Sequence, residues 1–458
     1  MKITADFTKV TGVMKPMHAI GQPPMEGPHG TELMHYIEEA GIPYSRLHDV
    51  QGAFGGSRYV DIPNIFPDFD ADENLPESYD FAFTDALLSH LIEYHCEPFY
   101  RLGVTIENYH TIKAYRIDPP KDFGKWARIC EHVVRHYNEG WANGFHWGIT
   151  YWEIWNEPAD DAYYPGGLSE MWHGTQKQYY ELYATAAKHL KSCFGDSIKV
   201  GGYGSGGFHD FNLHDPELKG IDHVPENRYQ GFFKFGHEFL AYIKEQGAPL
   251  DFFSWHSYRT NPLGQCSSES GYVRRLLTKY GYGDVPDFMN EWNPCCSRHP
   301  RMRGTPWASS RVFATMVQMH RTQTSMLNYY DAKISPTRYC GMFNPDTHEP
   351  YLAYYAFRMF NDAYQLKNEI YTASEDEEHY PVCGASDGRT HVLLFANSLD
   401  TPVSIELELT GVSPEKADII LINNEYRYSS SGWKIKDGKL DIPPETCVEF
   451  RFLSLQAR

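Results

Sequence analysis

Two short stretches place an amide and an acid side by side at the same kind of position. In Tyr151-Trp-Glu-Ile-Trp-Asn-Glu-Pro158, aromatic and β-branched residues that favour a pleated strand lead into Asn156 and Glu157. Pro158 has no amide hydrogen to give a ladder, so the strand must stop beside it. Pro286-Asp-Phe-Met-Asn-Glu-Trp-Asn-Pro294 repeats the plan with Asn290 and Glu291. Each pair is therefore expected at the carboxyl end of a strand, which in a parallel α/β barrel is where reacting groups collect. Two carboxyl groups facing one another across such a mouth can cut a glycosidic bond. One must hold a proton for the leaving oxygen and the other must be ionised, so their surroundings must push their pKa values apart. A separation of about 5–5.5 Å leads to retention through a covalent glycosyl-enzyme, whereas roughly 6.5–9.5 Å admits a water and leads to inversion. The bland alternative is that each glutamate only forms ion pairs at a barrel rim.

Such a pair needs a barrel to carry it. The chain has 458 residues, 41% hydrophobic and 15% aromatic, enough for a large core and an accessory unit. From Val13 to about Gln323, strand-like and helix-like segments alternate. Strands are expected at Val13–Gly21, Pro43–Val50, Glu97–Val104, Tyr151–Pro158, Ser197–Gly202, Leu250–Tyr258, around Glu291, and at Thr324–Asp331. Helices are expected between them, among them Thr31–Ala40, Phe83–Tyr94, Asp122–Tyr137, Gln176–Lys191, Gly231–Gln246, Gly271–Tyr280 and Trp307–Arg321, with Pro350–Tyr364 last. Alternation of this kind implies parallel strands with right-handed crossovers, and eight units close a (β/α)₈ TIM barrel, an α/β fold. After about Ala373, short alternating runs separated by Asp387-Gly388 and Asp437-Gly438 point to a smaller C-terminal β-sandwich. The expected division is residues 10–365 for the barrel and 366–458 for the sandwich, with residues 1–9 adding a strand to the latter.

A formal charge of −19 excludes the basic footprint of a nucleic-acid binder. No apolar run is long enough for a membrane span, and the amino terminus lacks the apolar core of a signal peptide. Nine dispersed cysteines without a CxxC suit a reducing compartment, so a cytoplasmic location is expected. Gly202-Tyr-Gly-Ser-Gly-Gly207 fits GxGxxG, but no amphipathic helix opens there, and Gly204-Ser205-Gly206 lacks the spacing of a nucleophile elbow. The histidines are scattered without ligand-like pairing. No metal and no cofactor are expected, and the partner is a small carbohydrate bound by a monomer or homo-oligomer.

Further polar residues end the other strands. Arg46 and His48 close the second strand, where the arginine can hydrogen-bond an ionised carboxylate and lower its pKa. His256 and Tyr258, two apart, share one face of the sixth strand. Asp331 ends the eighth strand, where sugar binding and a rim ion pair are both open. Trp152, Trp155, Trp255, Trp292 and Trp307 cluster near strand ends, and Trp292 is the expected sugar contact, although aromatic residues are first of all core material. Cys295-Cys296 follows Glu291, and the three arginines beyond it, Arg298, Arg301 and Arg303, could read a substrate carboxylate or balance an acidic surface.

Taken together, Asn156-Glu157-Pro158, Asn290-Glu291-Trp292-Asn293, Arg46-Leu-His48 and His256-Ser-Tyr258 resemble glycoside hydrolase family 39. That family, which includes β-xylosidases and α-L-iduronidases, carries its two glutamates on barrel strands four and seven. The resemblance covers the barrel and extends to the sandwich. It implies a retaining hydrolase in which Glu157 is the acid/base, Glu291 the nucleophile, and Asn156 the holder of the sugar 2-hydroxyl. Exo action of β-xylosidase type is the expected activity. Another glycosidase of the same clan, or a sugar-binding protein without turnover, is the alternative.

Overall fold

The structure, a computed structural model, describes residues 1–25, 30–48, 50, 60–105, 118–159, 171–208, 221, 230–259, 262–294, 302–334 and 339–454. Eight parallel strands close a barrel in chain order: β2 (Ala19–Gly21), β3 (Tyr44–Leu47), β4 (Glu97–Leu102), β5 (Tyr151–Ile154), β6 (Lys199–Ser205), β7 (Phe252–Tyr258), β8 (Asp287–Asn293) and β9 (Met326–Tyr330). Around it run α1 (Met34–Glu39), α2 (Ile62–Ile65), α3 (Ala82–Glu93), α4 (Phe123–Glu139), α5 (Gln176–Phe194), α6 (Gln230–Glu245), α7 (Gln265–Lys279), α8 (Pro306–His320) and α9 (Leu352–Gln365). Helix ends follow from sequence. Asp122 accepts from the Lys125 amide at the start of α4, and Thr175 and Gln178 form a reciprocal capping box on α5.

Side chains of alternate residues fill the barrel in layers. The floor is apolar: Ala19, Phe99, Phe252, Phe288 and Met326, with Tyr44 and Tyr151 against them. Phe252 lies 5.0 Å from Phe288 and 5.3 Å from Phe99, ring centre to ring centre. Two residues further along their strands, Arg46, Glu153, Ser254 and Asn290 form a buried polar layer on that floor. The floor thus excludes water from beneath this charged layer.

A nine-stranded sheet lies against the barrel, in the order β15-β14-β17-β12-β11-β10-β1-β13-β16. Its strands are β1 (Lys2–Val13), β10 (Asn368–Ser374), β11 (Val382–Ser386), β12 (Thr390–Asn397), β13 (Val403–Thr410), β14 (Asp418–Ile422), β15 (Arg427–Ser430), β16 (Lys439–Ile442) and β17 (Thr446–Leu453). The sheet curls, so Ile3, Phe7, Ile405, Leu421 and Phe450 from distant strands meet in one core. Period-two alternation lets one strand serve two cores. Leu393 and Phe395 of β12 face the sheet's own core, while Val392, Leu394 and Ala396 join the barrel core that includes Phe313 of α8 and Phe357 of α9.

Some details depart from the sequence reading. The first expected strand, Val13–Gly21, splits: β1 runs to Val13 in the outer sheet, and only Ala19–Gly21 enters the barrel. Pro16 lies between them and can give no ladder hydrogen bond. β1 pairs antiparallel with β10 and parallel with β13. The sandwich is realised as one continuous curled sheet. α7 begins at Gln265, well before Gly271. No helix among the described residues is long and apolar enough to cross a membrane. Cys96, Cys130, Cys193, Cys266, Cys383 and Cys447 are free thiols, but Cys340 is disulfide-bonded. A bonded cysteine is not what a reducing compartment favours, so dispersed thiols lose their weight as a sign of location. Cys295, Cys296, Arg298 and Arg301 lie outside the described residues.

Truncating the floor at Phe252→Ala is expected to cost about 3–5 kcal/mol of stability, the usual range for a buried phenylalanine. A denaturant titration that moves by less than about 1 kcal/mol would show the floor to be loosely packed.

Candidate active site

Arg46 reaches the barrel centre from β3 and is 1% exposed. Its Nε donates to Glu153 Oε2 at 2.7 Å, Nη1 to Glu291 Oε1 at 2.7 Å, and Nη2 to Asn156 Oδ1 at 2.6 Å. A guanidinium is a flat fork of fixed geometry, so these three bonds lock β3 to both acid-bearing strands. Burial alone would lower its pKa, but Glu153 and Glu291 beside it raise it and keep the charge.

Glu291 is positioned by a bulge. Trp255 of β7 pairs with Met289, yet the next residue, His256, pairs with Glu291, so β8 holds one extra residue at Asn290. Successive strand side chains normally point to opposite faces. The bulge resets that alternation, and both Asn290 and Glu291 turn inward. The second oxygen of Glu291 accepts from the Tyr258 hydroxyl at 2.6 Å, and His256 Nδ1 stands 3.5 Å from it. Burial pushes the Glu291 pKa up, but His256, Arg46 and the Tyr258 hydrogen bond outweigh it and bring the carboxyl below its ordinary value.

Glu157 does not continue β5. The strand ends at Ile154, and Trp155 and Glu157 take φ of 72° and 43°, a left-handed turn that swings the acid over the mouth. Such conformations are unfavourable for a side chain with a Cβ and persist where neighbours over-determine them. Here the Trp155 amide donates to Leu102, its indole donates to Met171, and the Glu157 amide donates to Gly204. Gly204 itself has φ of 62°, and a Cβ there would come within 3.0 Å of Asn156 Oδ1 and 3.3 Å of Arg46 Nη2, so only glycine lets β6 approach. Glu157 Oε1 lies 2.6 Å from His256 Nδ1 and its side chain is 18% exposed, against 6% for Glu291. One oxygen of each glutamate and one His256 nitrogen all lie within 4.8 Å of one another. Such a triad could hold a divalent cation, but Arg46 and Tyr258 already occupy both oxygens of Glu291.

The remaining sequence candidates divide. His48 is buried, and burial, with Arg101 and Arg46 nearby, holds its pKa well below the ordinary imidazole value. Its Nε2 therefore accepts from the Asn156 amide at 3.1 Å, and its 3.9 Å approach to Glu291 is not an ion pair. Asp331 follows β9; burial, opposed by Lys333 and aided by Glu291, raises its pKa to about 7. Its Oδ1 has no hydrogen-bond partner among the described residues. Trp292 is not brought to the cluster. Next to inward-facing Glu291, it points out of the barrel, is fully buried, and packs 5.2 Å from the Tyr329 ring, which in turn meets Phe357 of α9. Its expected sugar contact is corrected to a core role. Trp152, Trp155, Trp255 and Trp307 are likewise buried, the indole nitrogen of Trp255 bonded to Asp287.

Glu153 was not among the expected residues. Fully buried at the barrel centre, it accepts from Arg46, from Ser254 Oγ at 2.6 Å and from Asn290 Nδ2 at 2.7 Å. The Ser254 hydroxyl in turn accepts from the Gly204 amide at 2.8 Å, and Gly204 holds the Glu157 amide. One carboxylate thus connects, through Arg46 and Ser254, to both outer acids. The signal was present: a charged residue inside an otherwise apolar strand must be paired.

Glu153→Gln removes one partner of a buried ion pair and is expected to cost about 3–5 kcal/mol of stability. Unchanged denaturant midpoints would show that Arg46 is held without it.

The match to known proteins agrees with this layout. The model of glycosyl hydrolases family 39 matches residues 64–336, more than half of the chain. A β-xylosidase from Caldicellulosiruptor saccharolyticus is 23% identical over 264 residues, 53% of this chain and 46% of that protein. A β-xylosidase from Geobacillus stearothermophilus is 25% identical over 281 residues, 56% of this chain and 47% of that protein. The chain spans about half the length of these curated relatives. Among solved structures, a glucosidase from Croceicoccus marinus superposes with a TM-score of 0.75 at 17% identity, covering 99% of both chains. A family 39 β-xylosidase from Caulobacter crescentus gives 0.67 at 17% identity, covering 99% of this chain and 100% of that one. These two likenesses speak to the fold, and the family match speaks to descent: the chain belongs to glycoside hydrolase family 39.

Proposed function

We propose that the protein is a retaining, exo-acting glycoside hydrolase of β-xylosidase type. The observation that carries this reading is the facing of Glu157 and Glu291, whose nearest oxygens stand within 4.8 Å with His256 between them. That spacing favours direct attack by a carboxylate, since roughly 6.5–9.5 Å is needed to seat a water for inversion. Glu291, kept ionised by Arg46, His256 and Tyr258, attacks the anomeric carbon. Glu157, the more exposed of the two, protonates the leaving oxygen and later takes the proton of the incoming water. His256 orients Glu157. Asn156, fixed by Arg46 and His48, holds the sugar 2-hydroxyl, and the free Oδ1 of Asp331 takes another hydroxyl. The xyloside preference is supported by the two curated relatives named β-xylosidases, and exo action by the length of the segments after the second and fourth barrel strands, whereas the one expected after the sixth is short because α7 begins at Gln265. Much of those segments lies outside the described residues. One similar structure is named a glucosidase, so a glucoside belongs beside a xyloside in any test panel.

The two acids should respond differently. Glu291→Gln is expected to abolish hydrolysis of aryl glycosides by the folded protein. Glu157→Ala should suffer far more on poor leaving groups than on activated aryl ones, with azide restoring turnover of the latter. Equal losses on both substrate classes would remove Glu157 from the acid role, and a wild-type chain inert on xyloside, glucoside, arabinoside, galactoside and glucuronide would end the hydrolase reading.

Arg46→Gln withdraws a cation from Glu291, so the Glu291 pKa should rise and the acidic limb of kcat/KM should move to higher pH. The maximum should also fall by about 10²-fold or more, the usual loss for one preorganised donor. A lower maximum with an unmoved acidic limb would mean that Arg46 acts on shape alone.

A further inference from the structure

A second convergence of ligand-type atoms lies away from the barrel mouth. His189 and Cys193 are four apart on α5, one turn of helix, and so share a face. Glu131 of α4 points at the same spot. The Nε2 of His189 lies 2.6 Å from Glu131 Oε2 and 3.8 Å from Cys193 Sγ, and all three ligand atoms fall within 4.8 Å of one another. The side chains are half-buried, with 14% exposure for Glu131 and 29% for His189, leaving an open side toward solvent. α5 leads into the amino end of β6, so Cys193 sits toward the barrel end opposite the two catalytic-type glutamates.

We propose that Glu131, His189 and Cys193 form a binding site for a zinc-class divalent cation, with solvent as fourth ligand. A tetrahedral zinc ion with imidazole, thiolate and carboxylate ligands sets its donors roughly 3.3–3.5 Å apart, given bond lengths of about 2.0–2.3 Å. The nitrogen–sulfur distance is already close to that, and the nitrogen–oxygen pair must open by less than an ångström, a motion side-chain rotation provides. A sulfur and a nitrogen donor select zinc, cobalt or cadmium over magnesium and calcium. Glu131 can serve because its other oxygen, Oε1, holds Arg135 at 2.8 Å, leaving Oε2 for the metal. Binding forms metal–sulfur, metal–nitrogen and metal–oxygen bonds. The thiol proton goes to solvent, and the Nε2 proton directed at Glu131 goes to solvent or to Nδ1. Because the thiol must give up its proton to bind the metal, affinity should increase with pH.

The test is a titration of the full chain, kept reduced, with cobalt(II) chloride, followed by thiolate-to-cobalt charge-transfer absorption and by displacement with zinc. Wild type should saturate at one equivalent, Cys193→Ser should lose the absorption, and His189→Ala and Glu131→Gln should each bind at least tenfold more weakly. Thermal melts of all three variants check that they fold, and Cys193→Ala replaces Cys193→Ser if the latter does not. Absorption that survives in the cysteine variant would place the metal on another thiol and overturn the proposal. So would His189→Ala binding as tightly as wild type, or wild type showing no saturable absorption.

Discussion

A buried guanidinium bonded to a buried carboxylate is the constraint on which the rest of the interior depends. Arg46 and Glu153 are both withdrawn from water, a loss of hydration that mutual attraction alone seldom offsets. The pair is therefore better understood by what it fixes than by what it adds to stability. Three donors of Arg46 spread to three different acceptors, and three donors converge on Glu153. Side chains from four strands are thereby joined in one network. The apolar floor beneath keeps water from competing for these bonds.

The two outer acids differ because their backbones differ. Glu291 is delivered by a bulge into a dry, cation-rich place, with a guanidinium on one oxygen and a phenol on the other. Glu157 is delivered by a left-handed turn to a wetter position with an imidazole as its neighbour. That asymmetry is what the proposed opposite roles of these chemically identical groups require, since paired carboxylates are usually separated in pKa by their surroundings.

Much of this was legible in the chain because alternation of strand and helix patterns leaves few topologies open. The eight barrel strands, the long helices and the run of short C-terminal strands all had their periodicity on display. The shared face of His256 and Tyr258 followed from period two. What failed did so for local reasons. Trp292 was expected at the sugar because it lies near a strand end, but a bulge is invisible to a periodic reading, and it reverses which of two adjacent residues faces in. The amino-terminal strand was assigned across Pro16 because apolar residues lie on both sides of it. Glu153 lies inside its strand rather than at the strand end where reacting groups collect, although an acid within an aromatic strand is the rarer sight. The proposed pairing of His189 with Cys193 needs Glu131 of the neighbouring helix, a juxtaposition that no helical period in the sequence displays.

The central claim, that Glu291 is the ionised carboxylate that bonds to the sugar while Glu157 handles the proton, is tested most directly by trapping. Incubation with an activated 2-deoxy-2-fluoro xyloside or glucoside, followed by peptide mapping, should find one sugar attached, on the peptide holding Glu291 and at that residue. A sugar found on any other residue would contradict the account, as would turnover to a product of inverted configuration with no adduct formed.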